Sequence, residues 1–470
     1  MLKKKLHTAL SLIICCFTAT GIHAQTNVSV TLTEANITSK AEVLLPTYTV
    51  GTYSVILLDL AVNIGVKSTT GNFPAATAGT FSPLDLTVVR VKSNSLGILN
   101  LGASSTEIIL TNGVQSIYSS VNLLGGAFKV DYKIITSGYP WLAGKYATPI
   151  EYSPSRNLSP TIQNLEIVVP GFITLNSATT TSSAMHITSL AQFRNAAGIS
   201  TNSNIDYYAS VPTLVNLKST NSSFAITPLV PVTPLVTPVS TLLQTTIANP
   251  AGPVISVTNT DNLLTSSTGI PVIADNRRTI SATYNISKTN LYSSFACAGT
   301  YSLPMVYTIS KPVSAYPVTL ASKTVNNTLQ LIVDNLTEIT LPVSTVSLDF
   351  NNQNDFKSGV SSNVLNQINL SSTVPYNITV KASSSNFATS DGSSTIPVSV
   401  VTIEGMTGQN GITPITLSTT AQPIITAGAP EIDKILNLKY SIPASKIPAD
   451  VLGRSQGTYT TNIIYTMVSP

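Results

Sequence analysis

Three stretches of the chain repeat one alternation of apolar and polar positions behind a glycine. In each stretch a tyrosine follows the glycine by two positions, an apolar residue by six and a second tyrosine by eight. The three sets are Gly144, Tyr146, Ile150, Tyr152; Gly299, Tyr301, Met305, Tyr307; and Gly457, Tyr459, Ile463, Tyr465. Even spacings place these side chains on one face of a β-strand, because successive side chains of a strand point to opposite faces. The pattern therefore predicts three equivalent strands.

A second predicted strand precedes each of these closing strands. The three preceding strands contain Tyr132-Lys133-Ile134, Tyr284-Asn285-Ile286 and Tyr440-Ser441-Ile442. The loops between the paired strands differ in length, as the tips of hairpins do. We predict three tandem β-domains, each closed by the same hairpin.

Further landmarks recur at a fixed distance along the chain. Three pairs are each separated by 163 residues, namely Phe193 and Phe356, Lys218 and Lys381, and Phe224 and Phe387. Repeated landmarks at one spacing predict that the second and third units are duplicates. The first unit is a shortened or diverged relative.

Proline-containing stretches separate the predicted units. Pro154 and Pro160 follow the first hairpin, and Pro312 and Pro317 follow the second. Proline removes donors from a strand ladder and stiffens the backbone, so the domains are expected to form a semi-rigid string. The predicted organisation is a signal peptide at 1–24 and three domains at 25–153, 161–310 and 325–470.

Short alternating strands and turn signals such as Asp391-Gly392 account for most of the remaining sequence. Helical periodicity is scarce, and one short helix is expected around 190–197. The proline-rich stretch 227–239 is expected at an edge or on the surface, because proline is excluded from central strands. The predicted fold class is all-β, with three tandem immunoglobulin-like β-sandwich domains after a signal peptide.

The N-terminus has the pattern of an export signal. Lys3, Lys4 and Lys5 form a basic region, and 9–17 form a mostly apolar core that is too short to span a bilayer. Ala24 ends a suitable cleavage site.

A lipid anchor at Cys15 or Cys16 is the alternative to cleavage, although Ile14 is larger than the residue such an anchor normally requires. No later run is apolar for long enough to cross a membrane. We expect export through the Sec pathway to the periplasm, the outer surface or the extracellular medium.

The composition excludes a nucleic-acid partner. The 470 residues are 43% hydrophobic and 9% charged. The chain has 24 Lys and Arg, of which three precede residue 25, and 20 Asp and Glu, so 21 basic residues face 20 acidic ones after cleavage. Cys297 is then the single cysteine and has no partner for an internal disulfide. Burial of apolar cores must hold the domains together.

Few residues suit catalysis or metal binding. His186 is the single histidine after residue 24, so a histidine-rich or thiolate metal site is excluded by inventory. No phosphate-cradling glycine loop or nucleophile elbow occurs. We expect a protein that is not an enzyme and has no cofactor, with calcium as the one candidate ion.

The calcium candidate is a cluster of oxygen ligands at Asp349, Asn351 and Asp355, which also includes two further asparagines. Ca²⁺ accepts several oxygens in flexible geometry. Asn and Asp also favour turns through local hydrogen bonds, and the spacing fits no EF-hand loop. A calcium site and a plain turn are therefore both open.

Trp141 is the single tryptophan and lies at the tip of the first closing hairpin. An exposed aromatic ring there would stack on a sugar or insert into a partner. Packing against the second domain is the alternative. Trp141 is accordingly a candidate ligand contact.

The closing pattern of Gly457, Tyr459, Ile463 and Tyr465 resembles the final strand of spore coat protein U-type domains. Those are secreted immunoglobulin-like domains related to chaperone–usher pilus subunits. The resemblance covers only the closing strands, and the paired cysteines common in that family are absent here. It implies secreted domains of the immunoglobulin type and carries over no functional residue.

These observations favour a secreted or cell-surface structural or adhesion protein that contacts other surface proteins or itself. The alternative is a carbohydrate-binding or scaffolding module of a bacterial surface complex, with glycans as partners, and a hydrolase that uses carboxylates alone is a third hypothesis. An unpaired strand edge open to a partner strand favours assembly. An exposed row of aromatic side chains favours sugar binding.

Overall fold

The computed structural model describes residues 26–54, 59–75, 82–96, 100–122, 125–153, 158–233, 235–312 and 319–469. The predicted signal peptide, 1–24, lies outside these described residues. So do the central parts of both proline-containing connectors, 154–157 and 313–318.

The all-β class is confirmed, because strands make up 53% of the residues and helices 11%. The strands form three units, and in each unit two sheets enclose one apolar core. The cores are separate clusters that contain Tyr132, Tyr284 and Tyr440, respectively. Among the described residues, every helix is too short or too polar to cross a membrane.

The described residues of the first unit form eleven strands and one short helix. The strands are β1 Thr26–Thr31, β2 Val43–Tyr53, β3 Asp59–Ser68, β4 Val89–Leu96, β5 Asn100–Ser105, β6 Ile108–Ile109, β7 Gln115–Asn122, β8 Gly126–Ile134, β9 Gly144–Ser153, β10 Leu158–Ser159 and β11 Ile162–Val169. Helix α1, Glu34–Thr38, begins after Thr33, whose hydroxyl accepts a hydrogen bond from the Asn36 N–H and caps the helix.

The second unit repeats this plan. Its strands are β12 Ile173–Leu175, β13 Ser182–Ile187, β14 Ile199–Ala209, β15 Leu214–Ser219, β16 Ala225–Pro228, β17 Leu243–Ala248, β18 Ile255–Ser256, β19 Asn262–Leu263, β20 Arg277–Ile286, β21 Gly299–Ser310 and β22 Lys323–Val333. Its helices are α2 Leu190–Arg194 and α3 Lys288–Ser294. Helix α2 confirms the short helix expected in this region.

The third unit has ten strands in the described residues. They are β23 Thr337–Thr340, β24 Gly359–Ser372, β25 Tyr376–Ala382, β26 Asn386–Thr389, β27 Gly392–Pro397, β28 Thr402–Gly405, β29 Ile415–Thr416, β30 Gln422–Gly428, β31 Glu431–Pro443 and β32 Ile463–Val468. Helix α4 spans Gln353–Ser358.

Each unit pairs a five-stranded sheet with a second sheet. The five-stranded sheets have the orders β10-β2-β8-β4-β6, β12-β14-β20-β17-β18 and β23-β24-β31-β28-β29. The second sheets have the orders β1-β11-β9-β3-β7-β5, β13-β22-β21-β15-β19 and β30-β25-β32. The third unit therefore has no counterpart, among its described strands, of the pairs β1-β11 and β13-β22.

The strand that follows each closing hairpin belongs to the unit before it. β11 pairs antiparallel with β9 and parallel with β1, and its side chains Leu165 and Ile167 are fully buried in the first core. β22 pairs in the same way with β21 and β13, and it buries Leu329 and Leu331 in the second core.

The hydrogen bonding therefore places the boundaries between units after β11 and after β22. Both boundaries lie later in the chain than the expected domain starts at 161 and 325. The repeats mark equivalent positions along the sequence, but they do not specify which core a strand fills. The alternation within β11 or β22 is the same whichever unit it joins. Both strands lie within the stretches that the sequence assigned to the following domain or to its connector.

Polar contacts join the first and second units. Asp275 accepts a hydrogen bond from the Lys40 ammonium at 2.7 Å and one from the Gly138 N–H at 2.5 Å. The side chain of Asn276 bonds to both the N–H and the carbonyl of Trp141. The hydrogen bond from Lys40, aided by that from Gly138, holds the pKa of Asp275 below its usual value.

Arg194 makes the corresponding contact between the second and third units. Its guanidinium lies 2.7 Å from a carboxylate oxygen of Asp433 and 3.0 Å from one of Glu338. The Tyr292 hydroxyl also donates to Asp433 at 2.7 Å. Burial alone would raise the pKa of Asp433, but the bonds from Arg194 and Tyr292 outweigh it and lower that pKa. These bonds thus connect the second unit to the third.

Candidate functional site

The closing strands of the first two units are covered on both edges. β9 lies between β11 and β3, and β21 lies between β22 on one edge and β15 with β16 on the other. Both begin at the repeated glycine, which confirms the prediction for Gly144 and Gly299. Every inward side chain of these strands has neighbours from both sides.

The closing strand of the third unit is covered on one edge only. β32 pairs with β25, and its other edge has no strand partner among the described residues. It begins at Ile463, six residues after the predicted start at Gly457. Between these points the ladder is reduced to an isolated bridge of Thr460 with Ala388. Because no second strand flanks it in the described residues, the segment between Gly457 and Ile463 lacks a continuous ladder of backbone hydrogen bonds.

The inward side chains of this strand are correspondingly more exposed. Tyr459, Ile463 and Tyr465 are only partly buried. Their counterparts in the other units, Tyr146, Ile150, Tyr152, Tyr301, Met305 and Tyr307, are at most 1% exposed. The repeated pattern is thus present in all three units, but its inward side chains are fully buried only in the first two.

The repeat spacing makes residues 345–350 the equivalent of β13 in the third unit. Residues 345–350 lie 163 positions after β13 but form no strand, and no strand of the described residues pairs with them as β22 pairs with β13. Val346, Leu348 and Phe350 alternate as partly buried side chains against the third core. Their counterparts at the same spacing, Ser183, Met185 and Ile187, are buried under β22. We call the trough between 345–350 and β32 the third-unit groove.

Two tyrosine contacts are repeated in every unit. The first tyrosine after each glycine donates to the carbonyl four residues earlier, as Tyr146 to Leu142 at 3.0 Å, Tyr301 to Cys297 at 2.8 Å and Tyr459 to Ser455 at 2.7 Å. A tyrosine with this backward bond is a hallmark of immunoglobulin-type sandwiches.

The second contact joins the later tyrosine of the closing strand to the tyrosine of the preceding strand. The hydroxyl pairs are Tyr132 with Tyr152, Tyr284 with Tyr307 and Tyr440 with Tyr465. Burial raises the pKa of Tyr440 to about 12, so both hydroxyls of the third pair are neutral at physiological pH. The tyrosine pair therefore acts as a neutral hydrogen-bonding unit beside the groove.

Trp141 lies away from this groove, in the first unit. Its side chain is fully buried in the first core, and its indole N–H donates to the Thr136 carbonyl at 2.8 Å. Its backbone contacts Asn276 of the second unit. In this arrangement the ring presents no face to a sugar.

Two of the calcium candidates take part in local hydrogen bonds at the start of helix α4. The carboxylate of Asp355 accepts from the N–H groups of Asn351 and Asn352 at 2.7 and 3.0 Å, which caps helix α4. Asp349 is exposed on the wall segment of the groove. Within the described residues, no group of three or more His, Cys, Asp or Glu side chains is placed to hold a metal.

The remaining candidate side chains have surface or structural partners. His186 lies 2.8 Å from Asp334, and both are about half exposed. Cys297 is partly buried, and that burial raises the pKa of its thiol. Neither contacts the third-unit groove.

Comparisons with known proteins give no family assignment. No family model matches the chain, and no curated protein matches it. Solved structures do match. The adhesive subunit CfaE of the CFA/I fimbria of enterotoxigenic Escherichia coli is 10% identical, with 66% of this chain and 98% of that chain covered and a TM-score of 0.29.

Two further matches are similar in extent. The Acinetobacter baumannii complex of CsuC with the tip adhesion subunit CsuE, from archaic chaperone–usher pili, matches at 11% identity, 63% and 99% coverage and a TM-score of 0.28. The CupB6 tip adhesin of Pseudomonas aeruginosa matches at 10% identity, 62% and 92% coverage and a TM-score of 0.25. Likeness at these TM-scores supports no conclusion about function.

Proposed function

We propose that this chain is an exported, non-enzymatic surface protein that joins an assembly by receiving a β-strand from another polypeptide. The strand enters the third-unit groove and pairs with the free edge of β32. It thereby completes the third sandwich in the way that β11 and β22 complete the first two.

The free edge of β32 carries this proposal. An unpaired edge presents a row of backbone donors and acceptors that pairs readily with another strand. Here the edge is flanked by apolar side chains, among them Ile463 and Leu348. In the second unit β22 covers the counterparts of these side chains. A strand that satisfied only the backbone would leave these side chains exposed.

The strand β22 indicates how much contact the groove offers. Leu329, Leu331 and Val333 are at most 2% exposed in the second core. Burying one such side chain is worth about 1.5–3 kcal/mol. Ordering a side chain on binding costs about 0.5–1.5 kcal/mol, so each buried apolar side chain leaves a net gain that counts against the costs of association and of ordering the strand backbone.

The distribution of aromatic side chains does not favour the carbohydrate-binding alternative. Of the aromatic side chains in the described residues, Phe356, at 38%, is the one that is more than a third exposed. The centroid of its ring lies 4.8 Å from the ring centroid of Phe350, which belongs to the segment 345–350. A row of exposed rings suited to stacking on a sugar chain is therefore not formed by these residues.

A peptide with the sequence of residues 323–333 tests the proposal. The labelled peptide is titrated with the purified chain, and binding is followed by fluorescence anisotropy. We expect saturable binding, together with slower amide hydrogen exchange in 463–468. A scrambled peptide of the same composition is the control.

Two neighbouring variants locate the binding site. Ile463→Arg places a charge on the inward face of β32, whereas Ile464→Arg changes an outward side chain that is 42% exposed. We expect the first variant to abolish binding and the second to leave it unchanged, with circular dichroism as the check on folding. A folded chain that binds no such peptide, or that binds it equally as Ile463→Arg, would overturn the proposal.

A further inference from the structure

The strands that seal the first two units share a polar residue at one register position. Gln163 of β11 lies opposite Ile150, and Asn327 of β22 lies opposite Met305. Both Ile150 and Met305 are six residues after the repeated glycine. Both amide side chains are 1% exposed, although every other inward residue from this point toward the end of the strand is apolar. A buried amide at the same place in two cores calls for a specific partner.

In the first unit that partner is the tyrosine pair. The Tyr132 hydroxyl, which is bonded to Tyr152, donates to Gln163 Oε1 at 2.5 Å. The amide nitrogen of Gln163 donates to the Thr49 carbonyl at 3.3 Å. The two tyrosine hydroxyls can donate two hydrogen bonds. One is donated within the pair, and the amide carbonyl accepts the other.

In the second unit the shorter amide of Asn327 reaches the tyrosine pair through a serine. Its nitrogen donates to Ser203 Oγ at 2.8 Å. Burial raises the pKa of Tyr284 and of Tyr307, and hydrogen bonds with Ser203 lower both in part. The sealing strand therefore meets the tyrosine pair through its amide carbonyl in the first unit. In the second unit it does so through the amide nitrogen and Ser203, and the Asn327 oxygen has no partner in the described residues.

The third unit holds the same tyrosine pair without an amide. The hydroxyls of Tyr440 and Tyr465 lie 2.6 Å apart, and among the described residues neither has a second hydrogen-bond partner. While the groove is open, water reaches Tyr465, which is only partly buried. A strand that fills the groove excludes that water, so the second hydroxyl proton then needs an acceptor from the strand.

Five buried side-chain oxygens of this unit lack a hydrogen-bond partner in the described residues, namely those of Asn366, Gln367, Asn369, Tyr376 and Thr461. Gln367 is 3% exposed, and its nitrogen donates to the Val343 carbonyl at 3.1 Å. Val343 lies 163 residues after Thr180, whose carbonyl Asn327 bonds in the second unit. The Gln367 oxygen has no partner in the described residues. An incoming amide offers both a carbonyl that accepts and an NH₂ that donates.

We propose that the strand received by the third unit carries a glutamine or asparagine opposite Ile463, followed at two-residue steps by apolar residues opposite Thr461, Tyr459 and Gly457. This inference rests on the proposed function and specifies its partner. The amide fixes the register of the strand, because a slip by two residues places an apolar side chain against the tyrosine pair. The occupant is an extended segment of another protein with this pattern.

Paired peptides test the inference. The first is the sequence of residues 160–170, which contains Gln163, and the second is the same peptide with Gln163→Leu, which keeps the size of the side chain and removes its polar amide. Both are titrated against the purified chain by fluorescence anisotropy. We expect the leucine peptide to bind at least about tenfold more weakly, because it leaves a buried hydroxyl without an acceptor.

The variant Tyr440→Phe completes a double-mutant cycle. It removes the hydroxyl equivalent to that of Tyr132, so we expect the two peptides to bind it within about threefold of each other. A persistent tenfold preference in this variant, with folding verified by circular dichroism, would assign the selectivity to another group and overturn the inference.

The unmodified chain alone separates the two proposals. If the glutamine and leucine peptides bind it equally well, the amide inference is wrong and strand capture stands. If neither peptide binds, strand capture itself is wrong, and the inference is wrong with it.

Discussion

Tyr440 and Tyr465 share a hydrogen bond of 2.6 Å between their hydroxyls, and the same hydroxyl pair is present in both other units. The two tyrosines come from the two facing sheets of the third sandwich. Each pair therefore ties two sheets together inside an apolar core. In the first unit the sealing strand adds a third member, Gln163, to the network.

Removal of the Tyr132 hydroxyl should destabilise the first unit. Tyr132→Phe leaves the buried Gln163 oxygen and the Tyr152 hydroxyl without their shared partner, and a loss of about 1–3 kcal/mol is expected. Urea denaturation followed by Trp141 fluorescence reports on this core. The control is Tyr48→Phe, which removes a hydroxyl that has no hydrogen bond in the described residues. Equal midpoints for the two variants would contradict this role.

Amide exchange should be faster in β32 than in the other closing strands. One edge of β32 has no strand partner in the part of the chain that the structure describes, whereas β9 and β21 are paired on both edges. Hydrogen exchange measured by mass spectrometry on peptides that cover 463–468, 144–153 and 299–310 compares them directly. Protection of 463–468 equal to that of the other two would show that its free edge is already covered in solution.

The repeated glycine should be essential in only one of its three positions. Gly299 has a φ of +146°, and an added Cβ would lie 2.4 Å from the Thr227 carbonyl oxygen. Gly144 meets nothing closer than 3.6 Å, and Gly457 has open space. Gly299→Ala should therefore cost about 1–3 kcal/mol or more in unfolding free energy, and Gly144→Ala much less. Equal losses in thermal or urea unfolding would contradict this steric account.

The joint between the first two units should weaken in acid. The pKa of Asp275 is lowered in the folded chain, mainly by Lys40, so its contribution is complete above the ordinary value of 3.8 and is lost as the pH falls through the lower folded value. Melting temperatures of the unaltered chain and of Asp275→Asn are compared across this range. Their difference should be constant above pH 3.8 and shrink below it. A difference that grows in acid would reverse the sign of the linkage.

The fluorescence of Trp141 should be that of a buried indole. The side chain is 0% exposed, so its emission should be blue-shifted and weakly quenched by iodide until the first unit unfolds. Addition of a panel of glycans should leave the emission unchanged. Saturable quenching by a glycan would restore the sugar-contact hypothesis. Trp141→Phe should cost about 1–3 kcal/mol through the Thr136 carbonyl left without its donor, and more through the cavity beside the smaller ring.

The sequence by itself determined the all-β class, the three repeats and the faces of the closing strands. Side chains of a strand alternate with period two, so Tyr146 and Tyr152 had to share a face wherever that strand was placed. The sequence also placed a short helix at 190–197, where helix α2 forms. These features depend on local periodicity and on recurrence along the chain, and both are visible without coordinates.

The tertiary structure decided which core each strand completes. Leu165 and Leu329 alternate with their neighbours as any half-buried strand does, and only hydrogen bonding across the sheet assigns them to the preceding unit. The tyrosine hydroxyl pairs join residues about 20–25 positions apart through sheet packing, which no spacing rule specifies. The open edge of β32 likewise depends on which strands pair with it, and local sequence does not specify that pairing. Pairing partners are chosen by the three-dimensional fit of a core, so the candidate site could not be located from local pattern alone.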